Sequence, residues 1–453
     1  MSVRHFIGNP LADGQSAWHD PAFSITIAVM DSTASRHIVP PDARRIAGLD
    51  TLRACAVTLV VLHHYVLFVS DAPTFGWIGQ IGWAGVDLFF ALSGYLIGNQ
   101  IFSALASPQG FSLRHFYARR LLRTLPNFWV VLALYALWPA FRGDAPMLPL
   151  WRYLSFTQNI HLEPGTAFSH AWSLCIEEQF YLLLPAIVVG VPALRAVLGM
   201  HHRSDEPGGL GGPNGPSEPG GQKGGALRWA WLAIGAAFIA GMAIRWQVWL
   251  DGPHGPGARG WLHYYYKYIY YASLCRFDEL LAGVALALLK NRHAGLWRRI
   301  TAHGNALLVA GGAVIAFAFA WFLRDHYGLG ATVFGYPLLA LGFSLLILAA
   351  LAPGSLLYRI RIPGAASLAL WSYAIYLLHK QVCVLVAAAM ARAGHGAEDW
   401  RTIALALAAS LLTGWLLYRL VEAPFMALRA RWVPGNGSKA APARVAAATP
   451  GNG

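Results

Sequence analysis

Residues 332–352 read TVFGYPLLALGFSLLILAALA, twenty-one residues without a charged side chain. A helix of this length matches the ~30 Å hydrocarbon core of a bilayer. Similar apolar runs recur along the chain, in which 56% of the residues are hydrophobic and only 12% are charged. Soluble domains average roughly 25% charged residues, so this composition does not suit a soluble surface. The run predicts an integral membrane protein.

The predicted fold class is all-α, a polytopic transmembrane bundle of about ten helices. Each predicted span is an apolar run of about twenty residues, although several also carry charges, among them the second, fourth and sixth. The predicted spans are residues 51–70, 82–105, 119–141, 171–193, 227–247, 269–290, 305–324, 332–352, 367–391 and 402–422.

Polar segments flank and interrupt this bundle. The sequence predicts a polar leader at residues 1–45, a membrane domain at 46–426 and a disordered tail at 427–453. Within the membrane domain, the Gly/Pro-rich stretch 199–226 predicts a flexible loop. Arginines concentrate in alternate loops, so the positive-inside rule places leader, loop and tail in the cytoplasm. The leader does not resemble a signal peptide, and the first span is expected to serve as one. We therefore expect a multi-pass protein of a bacterial inner membrane.

The net charge of +13 does not predict nucleic-acid binding, because the basic residues lie in short loops between apolar runs. Membrane lipid is the partner that composition alone predicts. The four cysteines fall inside apolar runs, which favours buried packing over disulfides or a metal site. No metal is therefore expected at Cys55, Cys175, Cys275 or Cys383.

The first predicted span contains Arg53, His63 and His64. Ionisable groups inside a membrane are costly and by default mark a functional site. Eleven residues separate Arg53 from His64, which places them about 20° apart on one helix face, with His64 ~16 Å further along. His63 lies about 80° off that face. This favours His64 as the reactive histidine and leaves His63 open, and a histidine bonded to a neighbouring helix would explain the pattern equally well.

Carboxylates are expected near His64. Asp87 in the second span and Glu177 in the fourth are predicted at the same depth as His64, ~8–9 Å below the outer boundary. Tyr181 shares a helix face with Glu177. A histidine beside carboxylates suits general acid–base chemistry, with Glu177 or Asp87 orienting the imidazole. The alternative is an ion pair that holds helices together.

The third span begins FYARRLLRTLP, in which Arg120 and Arg123 share a face. Two guanidinium groups near the inner headgroups suit phosphate binding, although positive-inside arginines give the same pattern. Four spans thus carry the main candidates, and further ones lie in the sixth and ninth spans. These are Arg276, followed by Asp278 and Glu279, and Tyr376 with His379, followed by Lys380.

Six segments carry a resemblance to a known family. They are GLDTLRACAVTLVVLHHY (48–65), GWAGVDLFFALSGYLIG (82–98), RLLR (120–123), WSLCIEEQFYLLLP (172–185), SYAIYLLHKQ (372–381) and VEAPF (421–425). In this order they resemble the acyltransferase-3 family of membrane acyltransferases, over nearly the whole span from Gly48 to about Pro424. Any one segment is weak, and the ordered set is specific.

The resemblance implies an O-acyltransferase that moves an acyl group, often acetyl, from cytoplasmic acyl-CoA to a hydroxyl of a cell-envelope or secreted carbohydrate, such as a lipid-linked glycan. It makes His64, as base or acyl carrier, and Arg53, as a stabiliser of the thioester oxygen, the catalytic pair. Arg120 and Arg123 become the donor-binding pair, and acyl-CoA the co-substrate. Glu177, Tyr376 and His379 become further candidates.

Some family members carry an additional soluble domain that this sequence does not include, so a separate acyl-acceptor protein is a conceivable partner. A transporter or flippase for a glycan or an acyl group remains the rival class, since it would also use charges inside helices. Acylation of a secondary metabolite is the other alternative.

Overall fold

The computed structural model describes residues 45–197, 220–253 and 255–433. Regular structure in these ranges is helical throughout, with no strand. The α-helices are α1 (Ala47–Tyr65), α2 (Gly76–Ile81), α3 (Ala84–Leu105), α4 (Leu113–Leu137), α5 (Pro139–Arg142), α6 (Leu150–Leu154), α7 (Trp172–Val197), α8 (Gly220–Leu250), α9 (Trp261–Tyr265), α10 (Asp278–Arg292), α11 (Ala294–Thr301), α12 (Gly304–Arg324), α13 (Tyr336–Leu351), α14 (Leu356–Arg359), α15 (Ala365–Arg392), α16 (Trp400–Leu417) and α17 (Ala423–Trp432).

Eight helical segments of the described ranges are long and apolar enough to cross a membrane. They are Ala47–Ser70, Ala84–Leu105, Ser169–Gly190, Gly225–Leu250, Gly304–Arg324, Ala331–Leu351, Ala365–Arg392 and Trp400–Trp432. The predicted all-α membrane bundle is confirmed, whereas the number of about ten spans is not. The third predicted span corresponds to α4, whose first half is charged, and the sixth shortens to the 15 residues of α10. That span is shorter because residues 266–275 form π-helical and 3₁₀ turns instead of an α-helix.

Most of the predicted polar segments lie outside the described residues. Of the leader, only residue 45 is described, and residues 198–219 of the predicted loop are not. Helix α8 begins at Gly220, within the stretch predicted as a loop, and α17 runs to Trp432, within the predicted tail. The domain boundaries stay predictions.

Helices α1, α3, α10, α13 and α15 form the centre of the bundle. Glycines allow α3 and α10 to meet at backbone distance. A Cβ atom at Gly94 would lie 2.0 Å from the carbonyl oxygen of Leu280, and one at Gly283 would lie 2.3 Å from that of Ala91. Small residues permit such close approach between membrane helices. This crossing brings the charged starts of α3 and α10 together.

The connection between α4 and α7 folds back into the bundle. Gln158 and Asn159 are fully buried there, and the Asn159 amide donates to the carbonyl oxygen of Tyr271, at 3.0 Å. Phe168 takes a left-handed conformation with φ of 56°, which is uncommon for a bulky residue. The turn at Phe168 delivers His170 to the interior, directly before α7 begins.

Candidate active site

Two histidines from opposite ends of the sequence meet inside the bundle. His64 Nδ1 lies 2.7 Å from His379 Nε2. The two rings are parallel to within 2°, with centroids 4.9 Å apart. Because the ring planes are parallel and two ring atoms are only 2.7 Å apart, the planes cannot be separated by more than 2.7 Å. The rings therefore meet edge to edge and do not stack, which is the geometry that a hydrogen bond between ring nitrogens requires. The first span and the ninth span are thus joined through their histidines.

The contacts assign the tautomers of both neutral rings. His379 Nδ1 lies 3.0 Å from the carbonyl oxygen of Ile375. A carbonyl only accepts, so this nitrogen carries the proton, and His379 Nε2 is left as an acceptor. His64 Nδ1 must then donate to it, which leaves His64 Nε2 with a free lone pair. This is the form in which an imidazole acts as a base or a nucleophile.

A third histidine, His170, was missed by the sequence reasoning. Its ring is 2% exposed and lies edge-on to both partners, with centroid distances of 6.0 Å to His64 and 5.6 Å to His379. His170 Nε2 lies 3.2 Å from the carbonyl oxygen of Leu377, and Nδ1 is buried with no partner among the described residues. The available signal was its place just before the WSL segment, in the turn that opens α7.

His64 and His170 border a cavity of about 110 Å³, here named the histidine cavity, and His379 lies behind His64. Its described lining residues are aromatic, apolar or uncharged polar, and they include no Lys, Arg, Asp or Glu. His63 also lines the cavity, and its Nδ1 donates to the carbonyl oxygen of Gly79 at 2.8 Å. Both histidines of the first span therefore face the same space, and only His64 has a second histidine behind it.

At the opposite end of the bundle, where α1, α4 and α15 begin, a basic cavity of about 470 Å³ opens. The predicted pair Arg120 and Arg123 lines it together with Arg119 and Arg429, which sequence reasoning did not single out. The Arg120 guanidinium lies 3.9 Å from the centre of the Tyr181 ring. Four guanidinium groups around one space make this the most cationic of the cavities.

A central cavity of about 300 Å³ adjoins the basic one, and the two share Arg120 and Arg123. Arg53, Glu177 and Tyr181 line its interior. The Tyr181 hydroxyl donates to Glu177 at 2.5 Å, so the predicted sharing of a helix face becomes a direct hydrogen bond. The central cavity therefore carries both acidic and basic groups at the middle of the bundle.

Tyr376 joins the linings of the central and histidine cavities, which share Val86. It lines the central cavity, and its hydroxyl donates to the carbonyl oxygen of His170 at 2.5 Å. Ser173 Oγ lies 2.7 Å from the same hydroxyl. Basic, central and histidine cavities thus follow one another along the bundle, with Tyr376 and Ser173 at the last boundary.

The expected carboxylate partner of His64 is not there, because His379 takes that position. Glu177 bonds to Tyr181 and Ser93 instead. Glu177 follows His170 by seven residues on its helix, so it lies about 10 Å deeper than the histidines. The predicted equal depth of His64 and Glu177 is wrong because α7 enters the bundle after a buried turn. Counting residues from the start of the apolar run cannot locate that turn.

Asp87 also serves elsewhere. Its carboxylate forms a fully buried ion pair with Arg276, while Arg245 and Asp278 form a second pair beside it, 2.5 Å apart. Glu279 is also fully buried beside this cluster, next to Asp87 and Arg276. This cluster lies where α3 and α10 cross, and it fits the alternative of an ion pair that holds helices together.

Arg53 lines the central cavity rather than the histidine cavity. Since it lies ~16 Å along the helix from His64, it is too far away to stabilise an oxygen reacting beside that histidine. Lys380 is the cation that approaches the histidines. Its Nζ lies 3.3 Å from Ser169 Oγ and 4.2 Å from the centre of the Phe68 ring, and both of these residues line the histidine cavity.

Comparison with known proteins adds to this geometry. The model of the acyltransferase-3 family, described as an acyltransferase domain, matches residues 46–419. The chain belongs to the acyltransferase-3 family. The matched residues include α1, α3, α4, α7 and α15, which contribute lining residues to the three cavities. Family membership and the eight apolar helices together identify a multi-pass membrane acyltransferase domain.

Part of the chain is similar to bacterial O-acetyltransferases. The peptidoglycan O-acetyltransferase of Listeria monocytogenes is 31% identical over 159 residues, which are 32% of this chain and 24% of that protein. An O-acetyltransferase of Staphylococcus aureus is 31% identical over 162 residues, 32% of this chain and 25% of that protein. The aligned part of this acyltransferase-3 chain thus spans about a quarter of each relative's length. No solved structure matches the chain.

Proposed function

We propose that this chain transfers an acetyl group from cytoplasmic acetyl-CoA to a hydroxyl of a cell-envelope carbohydrate, with His64 as the reactive base. The observation that carries the proposal is the row of cavities that begins among four arginines and ends at the His64–His379 pair. A polyanionic donor suits one end of this row, and an uncharged hydroxyl acceptor suits the other.

The basic cavity is assigned to the donor. Arg120 and Arg123 would hold the phosphates of the coenzyme, since guanidinium groups bind phosphate through charge-assisted, bidentate hydrogen bonds. Arg119 and Arg429 complete the ring of positive charge. Because arginine-rich ends of membrane helices face the cytoplasm, this end and both termini are assigned to the cytoplasm of a bacterial inner membrane.

The central cavity is assigned to the thioester arm. It continues directly from the basic cavity, and Arg53, Glu177 and Tyr181 offer polar partners for the amide groups of the arm. Tyr376 stands at the end of this cavity, three residues before His379 on α15. The acyl group would pass Tyr376 to reach His64. Arg53 then acts on the donor arm and not on the reacting carbonyl.

The chemistry is assigned to His64 Nε2. In direct transfer this nitrogen takes the proton of the acceptor hydroxyl, the oxygen attacks the thioester carbonyl carbon, the C–S bond breaks, and the imidazolium returns the proton to the thiolate. In a relay the same lone pair first attacks the carbonyl carbon, the C–S bond breaks, and coenzyme A leaves as the thiolate. The acceptor hydroxyl then attacks the acyl-imidazolium, the N–C bond breaks, and the hydroxyl proton passes to the thiolate. His379 holds the ring in the required tautomer in both routes, and Lys380 supplies positive charge near the developing oxyanion.

The acceptor is assigned to the carbohydrate class, because a relative is named as acetylating peptidoglycan and no Lys or Arg is among the described residues that line the histidine cavity. The identity of the glycan follows from neither observation. Chemical analysis of surface glycans from cells with and without this protein would identify it.

Labelled acetyl-CoA added to membranes that contain the chain tests the proposal. We expect label in a glycan fraction with the wild-type chain and a loss of about 10²–10⁴-fold with His64→Ala, the range for removal of a general base. Solute uptake without label transfer would instead favour the transporter class. Full transfer by His64→Ala would exclude the role of His64.

A matched pair of variants sharpens this test. His63→Ala removes the neighbouring imidazole from the same cavity but leaves the His64–His379 contact, so it is expected to retain far more transfer than His64→Ala. Both variants should bind acetyl-CoA as the wild type does, since both histidines lie outside the basic and central cavities. Rapid quenching with labelled acetyl-CoA and no acceptor separates the two routes, because only the relay leaves label on the protein.

A further inference from the structure

The wall of the histidine cavity is a tyrosine-rich segment to which no role has yet been assigned. Residues 261–271 read WLHYYYKYIYY and pass from α9 into a π-helical turn, Tyr266–Tyr270. Tyr266, Tyr270 and Tyr271 line the histidine cavity together with Trp172. π-helical turns are rare and occur frequently at functional sites. This turn presents three phenol rings to the space that His64 faces.

Buried groups hold this wall in place. The Arg276 guanidinium lies 4.7 Å from the centre of the Tyr270 ring and donates to the carbonyl oxygen of Tyr270 at 3.3 Å. Asn159 donates to the carbonyl oxygen of Tyr271 at 3.0 Å. The Trp172 ring packs on both tyrosines, with centroid distances of 4.8 Å to Tyr270 and 5.4 Å to Tyr271. The aromatic wall is therefore preorganised by the Asp87–Arg276 pair and by the buried connection before α7.

The outer side of the segment is also tied down. Glu163 bonds to both Lys267 and His263, which fixes the start of the segment to the connection between α4 and α7. Burial acts to raise the pKa of Glu163, but the bonds from Lys267 and His263 outweigh it and hold that pKa below its ordinary value. Glu163 thus holds the first part of the segment, whereas Arg276 holds the later part around Tyr270.

The composition of the cavity selects a ligand class. Its uncharged lining excludes a phosphate or carboxylate as the preferred occupant. A lipid tail would cover the imidazole of His326, the amide of Gln80 and Nε2 of His63 without offering them a hydrogen bond, which is costly for polar groups that lose water. A sugar ring has an apolar C–H face for aromatic side chains and hydroxyls for these polar groups. The volume of the histidine cavity, about 110 Å³, is well below the ~300–1,000 Å³ of pockets for larger ligands.

We propose that Tyr266, Tyr270 and Tyr271, with Trp172, form an acceptor subsite that binds a single pyranose ring by stacking, with one hydroxyl directed at His64. The subsite rests on the proposed function, since it assigns the acceptor to the cavity in which His64 reacts. It also adds specificity, because aromatic stacking favours a rigid ring over a flexible polyol or a lipid hydroxyl.

Substitutions in the segment test the subsite, with chitopentaose as the acceptor probe for the full-length purified chain. Tyr266→Leu and Tyr271→Leu remove an aromatic face at similar bulk, and we expect each to raise the acceptor KM by about ten-fold. Tyr266→Phe keeps the face and should stay within about twofold. Tyr268→Leu is the matched control, because Tyr268 belongs to the same segment but does not line the cavity.

Two readouts separate failure of the subsite from failure of the proposed function. The affinity for acetyl-CoA should be unchanged in all four variants, and saturation transfer from protein aromatic protons to chitopentaose should weaken only in the two leucine variants that line the cavity. An unchanged acceptor KM in those variants, with transfer still lost in His64→Ala, would overturn the subsite alone. Absence of saturation transfer to chitopentaose in the wild type would overturn it as well. Full transfer by His64→Ala would overturn the proposed function instead.

Discussion

The two ends of the cavity row differ in every property that governs ligand choice. The basic end is wide, about 470 Å³, and four guanidinium groups line it. The histidine end is narrow, about 110 Å³, and among the described residues it is lined by aromatic and uncharged polar groups. Charge at a membrane surface attracts a polyanion, whereas an uncharged aromatic space selects by shape. The difference supports a donor at one end and an acceptor at the other.

The comparison also separates two uses of buried charge. Behind the wall of the histidine cavity, Asp87 pairs with Arg276 and Asp278 pairs with Arg245, all buried between helices. Near the cavities, charged and titratable groups such as Arg123 and His64 have an open side. An ionisable residue in a membrane helix is therefore not a functional residue by itself. A charge paired with a neighbouring helix stabilises the bundle, whereas a group that lines a cavity is free to bind a ligand or to react.

The largest expected effect comes from breaking the buried ion pair behind the histidine end. Asp87→Ala leaves Arg276 buried without its partner, which typically costs about 3–5 kcal/mol. We expect a strong loss of thermal stability and of protein in the membrane. In the double variant Asp87→Leu with Arg276→Met, apolar packing replaces the pair, and stability should largely return. A stable but inactive Asp87→Ala variant would contradict this account and restore Asp87 as a catalytic group.

Removing one charge from the basic end should affect the donor alone. Arg123→Ala is expected to raise the KM for acetyl-CoA by about 10–100-fold, because charge-assisted hydrogen bonds typically contribute ~1.5–3 kcal/mol. The acceptor KM should not change. Arg114→Ala is the matched control, since Arg114 lies on the same helix, is exposed and lines neither the basic nor the central cavity. If both variants raised the KM for acetyl-CoA equally, Arg123 would act only through the general surface charge and not by binding the donor.

At the histidine end, His379 is expected to act through His64 as a positioning residue. His379→Leu removes the acceptor for His64 Nδ1–H and should lower kcat by about ten-fold or more, as loss of such supporting contacts does. His379→Gln offers a carbonyl oxygen in its place and should recover part of the activity. The pH profile of kcat should shift in the leucine variant, whereas a purely structural role would leave that profile in place and lower only the amount of folded protein.

The smallest effect is expected at the rim of the histidine end. Glu163→Gln should raise the acceptor KM by less than about threefold, because exposed ion pairs contribute little. The pKa of Glu163 is lower in the folded chain, so its stabilising contact is present above the ordinary value of 4.5 and is lost as the pH falls below it. In the wild type, melting temperature should therefore drop slightly in that acid range, and the variant should lack this part of the drop.

The sequence predicted the class of fold and which arginines lie together, for identifiable reasons. Apolar length locates spans, and Arg120 and Arg123 share a cavity because three residues bring side chains to one helix face. The meeting of His64 with His379 could not be predicted, because it depends on how two distant helices pack. His170 was missed for a similar reason, since a left-handed turn at Phe168 directs it inward. Asp87 was misassigned because its partner, Arg276, follows a break in the sixth predicted span.

The central claim is that donor and acceptor reach the chain from opposite sides of the membrane. Proteoliposomes with the chain in one orientation test it directly, with labelled acetyl-CoA and chitopentaose supplied separately inside or outside. We expect acetylated product only when acetyl-CoA is on the side of Arg120 and Arg123 and the glycan is on the other side. Equal product in intact vesicles with both substrates on the arginine side would contradict it.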